Sequence, residues 1–133
     1  MSFTRSALKI SSQIGKRQFS ATAIMPATQE WMVILPDHAG VLEKRMKVRP
    51  DHLSNLKPNV ENGFFVFGGA RLDEPIKEGE GPKINGSVML AVADTKEEVM
   101  EKVRSDIYFT SGVWDESKIQ IFPFKSALRE QLK

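Results

Sequence analysis

Residues 63–93 read GFFVFGGARLDEPIKEGEGPKINGSVMLAVA, two apolar runs separated by a polar stretch. The runs GFFVFGGA (63–70) and SVMLAVA (87–93) have the β-branched and aromatic content of strands. Between them, 71–86 carries Pro75, Gly79, Gly81 and Pro82 and reads as a long hairpin loop. Upstream, WMVIL (31–35), closed by Pro36, predicts another strand. In AGVLEKRMKV, Val41, Leu42 and Met46 fall near helical spacing. Arg49-Pro50 interrupts that pattern, because the residue before proline is biased away from helix. Pro50 then suits the first turn of a second helical segment, with Leu53, Leu56 and Val60 on one face. Pro58 is expected to kink or end it. Downstream, Thr95 and Glu98 form a capping box opening a helix with Val99, Val103 and Ile107 on one face. SKIQIFPF (117–124) supplies a fourth strand. The order β-α-β-β-α-β predicts an α+β, ferredoxin-like fold: a four-stranded antiparallel sheet with its helices on one face.

All four strands are apolar on both faces: Trp31 to Leu35, Phe64 to Phe67, Val88 to Ala93, and Ile119, Ile121 and Phe122. An antiparallel sheet with one face in water would alternate apolar and polar residues. Two helices cover one face only. The second needs cover, most simply from the same sheet of another copy across a two-fold axis. The 71–86 loop or the tail is the alternative cover.

The chain's 133 residues suit one domain, and its 41% apolar and 27% charged composition is that of a globular protein. There is no cysteine, which excludes disulfides, thiolate metal sites and a cysteine nucleophile. No apolar run approaches the roughly 18 residues of a membrane span. The net charge of +2 is unevenly placed. Arg5, Lys9, Lys16 and Arg17 precede any acid; removing these four from 19 basic residues leaves 15 against 17 acidic ones. A body of net charge −2 argues against a polyanion-binding surface.

Residues 1–29 are basic, serine-rich and free of acid, the composition of a mitochondrial transit peptide. At about 100° per residue, Phe3, Ala7, Ile10 and Ile14 share one helical face, nearly opposite Arg5, Lys9 and Lys16. Arg17-Gln18-Phe19-Ser20 resembles a matrix-processing site, and Met25 could serve as an internal start giving a cytoplasmic form. The expected organisation is a targeting segment, or alternatively a disordered tail, over 1–29, a domain over 30–126 and a C-terminal tail over 127–133.

Five segments, in order, resemble the YCII-related family of small dimeric α+β barrel proteins. These are LEKRMKVRPDHL (42–53), NGFFVFGGA (62–70), GSVMLAVA (86–93), RSDIYFTSGVW (104–114) and IFPFK (121–125). The resemblance covers roughly residues 31–125. It implies a ferredoxin-like fold, a sheet-to-sheet homodimer, and a histidine–aspartate active site, which by position is His52 with Asp106. Many members have proline where this chain has Ile107, between Asp106 and Tyr108. Activities suggested in the family include dehydrochlorination of chlorinated aromatic hydroxy compounds, and related barrels include muconolactone isomerases.

The residues themselves leave alternatives open. His52 in an early helical turn could be a general base, its tautomer fixed by a carboxylate, or a solvated capping residue. Asp106 falls near the end of the helix begun at Thr95, where negative charge is unfavourable, so a partner is expected. It could instead cap the turn at FTSG. Arg49 could hold a substrate carboxylate or phenolate through its forked donors, or pair with a surface acid. Tyr108, the only tyrosine, could orient a substrate hydroxyl or pack at the rim. Gly69 could admit a ligand close to the backbone or be a turn residue.

Other signals are weaker. His38 and Asp37 with scattered acids do not make a metal site. GEGPKINGS lacks the ending of a phosphate loop. GFFVF resembles the aromatic strand of an RNA-recognition motif, but Glu61-Asn62 precede Gly63 where a basic residue belongs. The expectation is a dimer, without cofactor, metal or nucleic-acid partner, that acts on a small anionic or phenolic metabolite. Proton transfer leading to elimination or isomerisation is the reaction a His–Asp pair supports. The alternative is a non-catalytic dimer that binds a small molecule or serves as a scaffold.

Overall fold

A computed structural model describes residues 29–130; the expected targeting segment lies almost wholly outside them. Four strands, β1 (Glu30–Pro36), β2 (Phe65–Leu72), β3 (Ile84–Val92) and β4 (Gln120–Phe124), form one antiparallel sheet in the order β2-β3-β1-β4. Helix α1 (Leu42–Glu61) links β1 to β2, and α2 (Lys96–Arg104) with the short α3 (Ile107–Thr110) links β3 to β4. This is the βαββαβ arrangement expected.

Strand parity separates the two faces. Val33, Leu35, Phe65, Met89, Ala91 and Ile121 point to the helices and join Val99, Val103, Tyr108, Val113 and Trp114 in one buried core. The register aligns Phe67, Leu90, Met32 and Phe122 in a row on the opposite face. There Phe67 is 60% exposed and Phe122 41%, a large apolar surface in water. The C-terminal segment crosses part of this face. Ser126 donates to the Glu30 carboxylate from its backbone N–H (2.6 Å) and hydroxyl (2.8 Å), and Arg129 pairs with the same group. These bonds lower the Glu30 pKa to about 2.

Three boundaries differ from the sequence expectation. Helix α1 runs unbroken through both Pro50 and Pro58. Each proline deletes a helical N–H bond, but Val41, Val48 and Leu56 pack on the core and hold the helix across the gaps. The strands of the hairpin extend into the polar stretch, to Leu72 and from Ile84. Arg71 Nε donating to Asn85 Oδ1 (2.6 Å) makes polar strand ends stable there. Finally, residues 116–118 form a 3₁₀ turn, and β4 starts at Gln120.

Candidate active site

The site is built from the middle of α1 and the break between α2 and α3. The helix capped by Thr95 ends at Arg104. Asp106 directly follows its C-cap Ser105, near the end of α2 as anticipated, and is at the same time the N-cap of α3. Ile107 likewise belongs to α3. It occupies the first helical position, where a proline would also fit, and the turn forms without one. Asp106 Oδ1 accepts from the Tyr108 N–H at 2.8 Å as the helix cap.

The same oxygen lies 2.8 Å from His52 Nδ1, with both residues buried. The two alternatives for Asp106, cap or histidine partner, are thus both realised by one atom. Because Oδ1 accepts, Nδ1 carries the proton and Nε2 is left as the basic nitrogen of neutral His52. Nε2 bonds no described residue, and His52 lines a cleft of about 850 Å³ between α1 and β2.

Tyr108 stacks on His52, with ring centroids 3.9 Å apart and planes 15° from parallel. On Tyr108 lies the guanidinium of Arg45, 4.5 Å from the ring centre. Burial pushes the Tyr108 hydroxyl above its ordinary pKa of 10, against the opposing charges of Arg45 and Arg49, so it stays protonated at neutral pH. Arg45 itself is buried and fully engaged on one side. Its Nη1 donates to both Asp37 oxygens (2.8 and 3.0 Å), and Nη2 to Ser87 Oγ (2.7 Å). Trp114 Nε1 donates to the same Ser87 oxygen at 3.1 Å.

Of the residues anticipated, His52, Asp106 and Tyr108 are brought together, and Arg49 is an exposed cation on the cleft wall. Gly69 also lines the cleft, where a Cβ would meet nothing within 4 Å, so packing does not require glycine there. Asp37 is turned inward to Arg45, whereas His38 is half exposed, 3.7 Å from Asp115. Arg45, Ser87 and Trp114 were not anticipated. Their signal was parity: Arg45 precedes His52 by two helical turns, and Ser87 alternates with the core residues Met89 and Ala91.

The YCII-related domain model matches residues 29–125, most of the chain. The chain belongs to the YCII-related family. It is 40% identical over 98 residues to Fusaric acid biosynthesis protein 2 of Gibberella fujikuroi, an alignment covering 74% of this chain and 94% of that protein. It is 42% identical over 89 residues to Derivative of benzaldehyde biosynthesis cluster protein C of Emericella nidulans, covering 66% and 91%. Among solved structures it is similar to 5-chloro-2-hydroxyhydroquinone dehydrochlorinase (TftG) of Burkholderia phenoliruptrix, determined in complex with 2,5-dihydroxybenzoquinone. That match has a TM-score of 0.62 at 21% identity and covers 72% of this chain and 93% of TftG. At that identity the likeness establishes a shared fold. Both of these fungal relatives are named for biosynthesis.

Proposed function

We propose that this YCII-related protein is a cofactor-independent enzyme that moves a proton on a small anionic or phenolic metabolite. The observation that carries the reading is the buried His52–Asp106 bond beside an open cleft. Asp106 holds the Nδ1–H tautomer, and Nε2 takes a proton from a substrate C–H. The resulting carbanion expels a leaving group or is reprotonated elsewhere, giving elimination or isomerisation. Arg49 and Tyr108 hold the substrate oxygen through a charge and a hydroxyl, and Gly69 lets the ligand lie close to β2. The named activity of TftG is an elimination of this kind. Chlorinated and hydroxylated aromatic acids, followed by proton NMR in D₂O, form the test set. Deuterium incorporation or elimination by the native protein, absent in His52→Gln, is the expected result. Binding without turnover, or equal turnover by both proteins, rejects catalysis by His52.

The working unit is a homodimer joined through the outer sheet face. The exposed Phe67 and Phe122 support this, since the C-terminal segment leaves both in water. Light scattering at micromolar concentration should give twice the chain mass, and Phe67→Glu should halve it; a native monomer would defeat the proposal. The site of action is the mitochondrial matrix, on the composition of residues 1–29, with a cytoplasmic form from Met25. A reporter carrying residues 1–29 should enter mitochondria. Import that survives replacement of Arg5, Lys9, Lys16 and Arg17 by glutamine would rule this out.

A further inference from the structure

Ser87 has a hydroxyl with one proton and two lone pairs. Arg45 Nη2 and Trp114 Nε1, both obligate donors, occupy the two lone pairs at 2.7 and 3.1 Å. The hydroxyl is therefore barred from accepting anything more, and its proton takes the remaining tetrahedral direction. Among the described residues no acceptor meets that proton, although Ser87 is only 4% exposed. A buried donor left unpaired is costly, so a group that satisfies it is bound strongly. Ser87 lines the cleft that it shares with His52. Arg45 lines the same wall, and its Nε–H and second Nη2–H bond no described residue. Arg49 adds an exposed positive charge.

From this arrangement we infer that Ser87 and Arg45 form a donor-only subsite for an oxyanion, the carboxylate or phenolate of the ligand, with Trp114 fixing its polarity. The inference rests on the reading of the cleft as a substrate site, and it adds a residue and a rule of selection to it. A ligand oxygen seated there must accept. A neutral group that also needs to donate meets hydroxyl and guanidinium protons and is rejected. Trp114 enforces this from outside the cleft by consuming the lone pair with which Ser87 would otherwise accept.

The probes are benzoate, which offers two acceptors, and benzamide, which offers one acceptor and one donor in the same shape. Calorimetry on the full chain should show native protein binding benzoate at least about tenfold more tightly than benzamide. Ser87→Ala should lose most of that preference, and Ser87→Thr should keep it. In Trp114→Phe the serine is intact but freed to accept, so benzamide should gain on benzoate. Backbone NMR spectra identify which variants remain folded, and the Trp114→Phe arm stands if Ser87→Ala does not fold. No native preference, or a preference unchanged in both Ser87→Ala and Trp114→Phe, overturns the inference. His52→Gln should keep the benzoate preference while losing turnover, which separates failure of this subsite from failure of the proton-transfer reading.

Discussion

Arg45→Met should destabilise the protein by about 3–5 kcal/mol, the cost typical of breaking a buried ion pair by removing one partner. The side chains of Arg45 and Asp37 are 5% and 3% exposed, so the stranded carboxylate has almost no access to water. Ser87 Oγ also loses its 2.7 Å donor, and Tyr108 its cationic neighbour. Few single changes in a domain of this size approach such a value, because native stability is itself only about 5–15 kcal/mol. Urea unfolding is the measurement. Arg45→Met/Asp37→Leu should recover most of the loss, since a pair replaced by apolar groups leaves no unpaired charge. A single-variant cost below about 1 kcal/mol would mean that water reaches Asp37, and would remove the pair from the account of the site.

The pH dependence of that loss has a definite sign. Burial holds the Asp37 carboxyl above its ordinary pKa of 3.8 even with Arg45 opposing it, and removing Arg45 takes the opposition away. A carboxyl whose pKa is raised on folding favours the native state at low pH. It costs stability as pH climbs from the unfolded value through the folded one. The difference between Arg45→Met and native protein should therefore be largest near neutrality and shrink as the pH falls toward about 4. A difference that grew on acidification would contradict the assignment.

Strand order was readable from the sequence because each strand is an apolar run bounded by turn residues, and the helices between them keep apolar spacing. Strand ends were not, because pairing sets their length: Arg71 and Asn85 join the hairpin by bonding each other across it. Pro50 and Pro58 misled for a related reason. A local rule for breaking helices gives way where neighbouring turns are pinned to the core by Val48 and Leu56. His52 and Asp106 were legible through the family resemblance, but their geometry depends on a helix break at Ser105 that no glycine or proline announces. Arg45 was hidden because a basic residue among basic residues reads as a solvated helix face. Only the stripe it shares with Val41, Val48, His52 and Leu56 marks it as buried.

Asp106 Oδ1 performs two tasks, and their separation is the sharpest prediction about catalysis. On the substrate found in the NMR screen, His52→Gln should lower the rate by about 10²–10⁴, the usual worth of a positioned acid–base group. Asp106→Asn keeps an oxygen for the Tyr108 N–H, so the cap and the stability should be nearly unchanged. It removes the charge that balances an imidazolium as His52 takes the proton, and the rate should fall although the fold does not. Asp106→Ala should lose both, costing a further 0.5–2 kcal/mol of stability at about the typical value of a helix cap. Steady-state kinetics of His52→Gln/Asp106→Asn then decide whether the residues act as one unit. Groups that work through a single proton are strongly non-additive, so the double variant should be no slower than His52→Gln alone. Losses that multiply would show Asp106 acting on the substrate independently of His52, leaving the 2.8 Å bond a structural one.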